Sequence, residues 1–148
     1  MWSIKEFEKL SIYELQEIYA LRVKVFIVEQ KCPYQDVDDK DLQSIHLFKR
    51  KNEKIIAYAR LIPNIEAVHL GRVVVHPDYR RQGHANELLQ QALLYADKNY
   101  QDLSVHAQAQ VYLQDFYSHF GFQVSSDIYL EDHIPHVDMI RSGGTSIE

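Results

Sequence analysis

Between positions 85 and 98 the apolar residues Leu88, Leu89, Ala92, Leu93 and Ala96 recur every three or four positions, the spacing of one face of an α-helix. Other stretches alternate or run continuously apolar. Residues 45–50 and 54–61 read as strands, and Lys51-Asn52-Glu53 between them is the short polar link of a hairpin. Residues 68–75 form a β-branched strand stopped by His76-Pro77, residues 103–107 a shorter one, and residues 2–7 alternate well enough for a first strand. Ser11-Ile12-Tyr13-Glu14 has the form of a capping box, in which hydroxyl and carboxylate satisfy free N–H groups at a helix start. Leu15, Ile18, Tyr19, Arg22 and Phe26 follow at helical spacing and predict a helix to about Phe26. Residues 111–120 read as a helix stopped by Gly121, and residues 122–124 and 137–141 as closing strands. No repeat or linker interrupts this order, so the expectation is one α/β (α+β) domain over residues 1–141. Residues 142–148 read as a disordered tail.

A length of 148 residues suits a single core, and 46% hydrophobic with 25% charged residues matches an ordinary globular chain. The net charge of −5 argues against a broad nucleic-acid surface and mildly favours cationic partners. The single cysteine, Cys32, excludes an internal disulfide, has no activating partner nearby and fits a reducing compartment. The start of the chain lacks a signal-peptide pattern and no stretch is long enough to span a bilayer, so the expected location is the cytoplasm, without membrane contact.

The most informative stretch runs Val73-Val74-Val75-His76-Pro77-Asp78-Tyr79-Arg80-Arg81-Gln82-Gly83-His84-Ala85-Asn86: a strand, a short basic turn with one glycine, then a helix. Such an arrangement aims backbone N–H groups and the positive end of a helix dipole at one spot, where a phosphate is the natural guest. Gly83 and Ala85 let a pyrophosphate approach the backbone, and Arg80 and Arg81 supply charged donors. No Gly-Lys-Ser/Thr follows, which excludes the Walker pattern, and a single glycine excludes the dinucleotide fingerprint.

Arg80-x-x-Gly83-x-Ala85 resembles the pyrophosphate loop of GNAT acetyltransferases, and Phe116-Tyr117-Ser118-His119-Phe120-Gly121-Phe122 resembles the family's Tyr-x-x-x-Gly-Phe segment. Longer strings look like the ElaA-like branch of that family. They are residues 22–30, Cys32-Pro33-Tyr34-Gln35 with Asp38 and Asp41, Gly71-Arg72-Val73-Val74-Val75, and residues 129–136. The resemblance implies a strongly bent mixed sheet that splays open between its fourth and fifth strands, with acetyl-CoA wedged into the opening. It implies that backbone groups of Val73, Val74 and Val75 hold the acetyl carbonyl and pantetheine. Arg80, Arg81, Gln82, Gly83, His84, Ala85 and Asn86 would hold the pyrophosphate, and Tyr117 would protonate the departing sulfur. Gln110 and Leu113 stand where many members have Asn and Ala, so the sequence departs from the family there. Gln110 is carried over as a cofactor contact.

Acetyl transfer also needs a base, because a free alkyl amine with a pKa near ~10 is protonated at neutral pH. Glu29, just after the first helix, and His136 are the two candidates, each with a structural alternative as an ion pair or a hydrogen-bonded histidine. Arg22 lies seven residues before Glu29, two helical turns back, so the spacing predicts one polar pocket of Arg22, Glu29 and Arg72, with Phe26 on the acceptor side and His136 at the edge. Asp36-Val37-Asp38-Asp39-Lys40-Asp41 resembles the start of a calcium loop, but the required glycine is missing. A solvated acidic loop is expected instead. His133-x-x-His136 is too sparse to bind metal, so no metal is expected.

The expected function is direct acetyl transfer from acetyl-CoA to an amine in a ternary complex. The alternatives are a non-catalytic acyl-CoA-binding module, or a relative of acyl-homoserine-lactone synthases, which share the Arg-x-x-x-Phe pattern seen at Arg22 and Phe26. The acceptor is left open, as is a homodimer.

Overall fold

The computed structural model of the chain describes residues 2–143. The last five positions of the expected tail, residues 144–148, lie outside them, while Ser142 and Gly143 are exposed. Eight strands form one mixed sheet: β1 (Trp2–Glu6), β2 (Ile45–Lys51), β3 (Lys54–Pro63), β4 (Ala67–Val75), β5 (Ser104–Gln110), β6 (Gln123–Val124), β7 (Tyr129–Glu131) and β8 (Ile134–Arg141). Their order is β1-β2-β3-β4-β5-β8-β6, with β7 also paired to β8. Neighbours are antiparallel except β4 and β5, which run parallel and are connected by the helix α2 (His84–Asn99).

The two faces of the sheet are covered differently. On one face α2 buries Leu88, Leu89, Ala92, Leu93 and Ala96 against Leu47, Ala59, Leu61, Val68, Leu70, Val105 and Ala107. These are the helix positions that the apolar spacing picked out. A fully buried leucine contributes about 1.5–3 kcal/mol, so the three here are a principal anchor of the domain. On the other face α1 (Ile12–Arg22) sets Ile18 and Leu21 against Phe48, Tyr58 and Val74, covering only the β2–β4 half.

The capping box forms as expected, with the Ser11 hydroxyl accepting from the Glu14 N–H at 3.0 Å and the Glu14 carboxylate accepting from the Ser11 N–H at 2.9 Å. The end of this helix differs from expectation. After Arg22 it widens into a π-helix, Val23–Glu29, whose last turn carries five-residue bonds from Gln30 N–H to Val25 O (3.0 Å) and from Cys32 N–H to Ile27 O (3.1 Å). The expected helix over residues 111–120 is a 3₁₀ turn, Val111–Leu113, followed by the short α3 (Gln114–Ser118), with Gly121 at φ 89°. The sequence reading missed β7, which makes a tight hairpin with β8 through Asp132 and His133 at φ 51° and 66°. Neither residue is glycine, so the turn carried no glycine signal.

Two irregularities shape the centre of the sheet. Pairing of β4 with β5 runs only from Ala67↔Ser104 to Leu70↔Ala107. Beyond it β4 continues to Val75 without β5, while β5 continues beside β8. The sheet therefore forks after Leu70. In the β3–β4 ladder, Tyr58 pairs with Val74 but Arg60 with Gly71, so Arg72 and Val73 together oppose Ala59. This is a β-bulge, and Arg72 takes the left-handed φ of 53° there.

Candidate active site in the forked sheet

A cavity of about 1780 Å³ passes through the fork. It is lined at one end by Arg80, Arg81, Gly83, His84, Ala85 and Asn86, in the middle by Val73, Val74, Val75 and Tyr117, and on the opposite face by Arg72, His106 and His136. Where the strands diverge, β4 has no strand partner on the β5 side over residues 71–75. A ligand carrying its own amides can complete that ladder, as buried backbone groups require.

The loop before α2 has a geometry that can receive an anion. Arg81 at φ 62° and Gly83 at φ 85° are both left-handed, a coiled geometry that gathers successive N–H groups into one concavity. Gly83 is the N-cap of α2 and supplies no side-chain acceptor, so the first helical N–H groups are left for a ligand. A Cβ placed on Gly83 would meet no atom within 4 Å, so what demands glycine is the backbone angle together with the approach of a ligand. His84 differs from its neighbours, because its side chain is buried beside Lys49, with Nδ1 3.3 Å from Nζ. It therefore offers the site its backbone. Gln82 is exposed and does not line the cavity.

Tyr117 reaches the cavity from α3 with its ring edge-on to Phe116 (5.4 Å) and Phe122 (5.6 Å). Burial pushes its hydroxyl well above the ordinary tyrosine range, so it stays protonated near neutrality. Gln110 also lines the cavity, with its Nε2 3.4 Å from Gln30 Oε1, and Phe26 lines it from the π-helix.

The expected pocket of Arg22, Glu29 and Arg72 does not form. Arg22 has a fully buried side chain and donates to Asp36 (3.0 Å) and Asp41 (2.9 Å). Glu29 instead makes a two-pronged pair with Arg80 at 2.6 and 2.7 Å, on the cavity rim. The reason is the π-helix: its wider turn breaks the equation of seven residues with two turns, so Glu29 faces away from Arg22. The Arg80 guanidinium holds the Glu29 carboxyl below the ordinary carboxylate range. Arg72 does line the cavity, pairs with Asp36 at 2.9 Å and lies over the Tyr34 ring. His136 is stacked on Tyr129, its Nδ1 2.7 Å from Ile134 O and its Nε2 4.0 Å from Glu131.

The acidic loop is also corrected. Asp36 and Asp41 are buried rather than solvated, because Arg22 from α1, Arg60 from β3 and Arg72 from β4 converge on them and on Asp38. Three arginines and three aspartates neutralise one another there. Burial alone would lower the Arg22 pKa, but the hydrogen bond to Asp41 and the charges of Asp36 and Asp41 together with Tyr58 outweigh it and raise the pKa. Cys32 is buried with Sγ 3.4 Å from Asp132 O, and burial pushes its thiol up, which suits an inert residue. Among the described residues no helix is long and apolar enough to cross a membrane, and no cluster of three or more His, Cys, Asp or Glu could hold a metal ion.

Comparison with known proteins matches residues 11–142 to the acetyltransferase (GNAT) domain. A UPF0039 protein of Schizosaccharomyces pombe is 46% identical over 138 residues, covering 91% of this chain and 92% of the relative. Protein ElaA of Escherichia coli is 37% identical over 145 residues, covering 95% of each. The crystal structure of Escherichia coli ElaA superposes with a TM-score of 0.93 over 96% of this chain and 99% of that one, at 38% identity. An acyl-CoA N-acyltransferase from Pseudomonas aeruginosa gives a TM-score of 0.92 at 38% identity, again over 96% and 99%.

Proposed function

Because the chain belongs to the GNAT acetyltransferase family, in its ElaA-like branch, we propose that it moves the acetyl group of acetyl-CoA directly onto an amine within a ternary complex. The observation that carries this reading is the continuity of the cavity from the anion-binding loop, past Tyr117, to the opposite face of the fork.

The pyrophosphate sits on the N–H groups of the loop and the start of α2, with Arg80 and Arg81 as charged donors. The pantetheine amides lie along β4 at Val73, Val74 and Val75. This places the thioester where the strands part. The amine enters from the face that α1 leaves uncovered and attacks the carbonyl carbon. As the C–S bond breaks, charge gathers on sulfur, and the Tyr117 hydroxyl donates to it. The burial that raises Tyr117 acts on the thiolate as well, because both anions share one poorly solvated pocket, so the proton is not held back by the full difference in pKa.

Glu29 is the counterion of Arg80, and a carboxylate so held is a weak base. Binding of the pyrophosphate competes for the same guanidinium. His136, on the far side of the cavity, is the other sequence candidate for proton transfer.

Tyr117→Phe removes one hydroxyl and little packing. Amine-dependent release of CoA should fall by roughly 10²–10⁴-fold while acetyl-CoA affinity changes little. Near-normal turnover with chemistry limiting would remove Tyr117 from the mechanism. A wild-type protein that binds acetyl-CoA but acetylates none of a panel of alkyl amines, polyamines, amino acids and peptides would instead be a binding module.

A further inference from the structure

The uncovered face of the fork carries a row of polar side chains that the sequence reading did not single out. Alternation along β5 sends Val105, Ala107 and Ala109 into the core beneath α2, and so sends His106, Gln108 and Gln110 to the opposite face. By the same rule β4 buries Val68 and Leu70 and turns His69 outward. Register then sets His69 beside His106, with ring centroids 5.3 Å apart and the rings edge to face. Both line the cavity.

Position makes this pair more than a surface feature. His69 and His106 are the last paired residues on their face before the fork, since pairing ends at Leu70↔Ala107. The next residue of β4 on that face is Gly71, where a Cβ would meet no atom within 4 Å. Open space therefore separates His69 from the bulge at Arg72. The His106 Nε2 lies 3.0 Å from Ser104 Oγ, which holds that ring, whereas the His69 ring has no hydrogen-bond partner among the described residues.

We propose that His69 is the proton acceptor for the attacking amine, with His106 as the residue that positions it. The inference rests on the acetyl-transfer reading above and names the group which that reading leaves open. The amine nitrogen forms a bond to the thioester carbon, the C–S bond breaks, and sulfur keeps the electron pair and takes the Tyr117 proton. The proton lost by the nitrogen passes to the imidazole of His69 and then to water, from which Tyr117 recovers its own. Burial first, then His106 and Lys40, hold His69 below the ordinary histidine range, so it is neutral and able to accept at pH 7. His106 faces it from β5 and Lys40 from the 3₁₀ turn Asp39–Gln43, while its β3 partner Ile62 brings no charge.

Bromoacetyl-CoA tests the placement without a known acceptor. Its CH₂–Br carbon lies next to the carbonyl, and an imidazole nitrogen in reach displaces bromide and loses a proton to buffer. Peptide mass spectrometry should find on His69 the CH₂–CO–S–CoA adduct, or the carboxymethyl group left when its thioester is hydrolysed, slowed by excess CoA and absent in His69→Gln. The same variant should keep its acetyl-CoA affinity and lose roughly 10²–10⁴-fold in amine turnover, along with the acid limb of the pH–rate profile. Bromoacetyl-CoA that binds, is displaced by CoA and modifies only another residue such as His136 or Glu29 overturns the assignment but leaves acetyl transfer standing. Failure of the folded protein to bind bromoacetyl-CoA or acetyl-CoA at all overturns the acetyl-transfer reading itself.

Discussion

Two groups of arginines, both prominent in the sequence, have opposite fates. Arg22, Arg60 and Arg72 converge on the 36–41 loop and are neutralised by Asp36, Asp38 and Asp41. Arg80 and Arg81 lie on the loop before α2 and are exposed. The side chain of Arg22 is 0% exposed and that of Arg80 is 39% exposed. The first group has no charge to spare and fixes geometry: it ties α1, the 36–41 loop and β3–β4 together on one side of the fork. Among the described residues the second group has one ion-pair partner, the exposed Glu29, which a phosphate can replace. Burial therefore decides which arginines brace the fold and which stay available to a ligand.

The comparison breaks most visibly if Arg22 is removed. Arg22→Met leaves Asp36 and Asp41 short of a buried partner and should cost about 3–5 kcal/mol of stability, read as a lower denaturant midpoint. A midpoint within error of wild type would mean the network is ornamental. Acid provides a second, smaller perturbation. His46 is buried against this network, with Nε2 2.9 Å from Asp41 O and Nδ1 2.6 Å from Tyr58 Oη. The carbonyl can only accept, so Nε2 carries the proton and Nδ1 accepts from the Tyr58 hydroxyl. Burial depresses the His46 pKa in the folded state, so the unfolded chain binds the extra proton first. Its contribution is present above about pH 6.5 and is lost as pH falls below that value. The lowered carboxyl pKa of Asp38 acts with the same sign at lower pH. Melting temperature should fall from pH 7 to pH 5, and less steeply in His46→Gln. A flat profile in the wild type would contradict a buried, neutral His46.

The smallest effect belongs to the exposed pair. Glu29→Gln removes a partner from Arg80, and exposed pairs contribute about 0–1 kcal/mol, so stability should hardly move. Acetyl-CoA affinity should rise by up to about fivefold, since the guanidinium no longer has to leave a carboxylate. A calorimetric affinity that falls would show that Glu29 assists the cofactor rather than competing with it.

Local chemistry was readable in the sequence, and the pairing of distant segments was not. The capping box at Ser11 and Glu14, the buried face of α2 and the loop around Gly83 each rest on neighbouring residues, and the spacing alone located them. The position of Glu29 was misjudged because the residues of 23–29 show no signal for a π-turn, and one widened turn was enough to move its side chain from Arg22 to Arg80. The aspartates at 36 and 41 read as solvated because their partners, Arg22 and Arg60, come from elsewhere in the chain. His69 and His106 were visible as single polar residues on the outward face of apolar strands. Only the parallel register of β4 and β5 makes them neighbours at the fork, and nothing local encodes that register.

The central claim, that the Gly83 loop and the forked sheet bind acetyl-CoA, is tested most directly by calorimetric titration of acetyl-CoA into wild-type protein and Gly83→Val. Valine at φ 85° strains the turn and puts a branched side chain where the pyrophosphate must approach, but it meets no existing atom, so the domain should stay folded. The expected result is one site per chain in the wild type, with affinity at least about tenfold weaker in the folded variant, a difference of about 1.4 kcal/mol. Equal affinity in the two folded proteins, or no binding by the wild type, would contradict it.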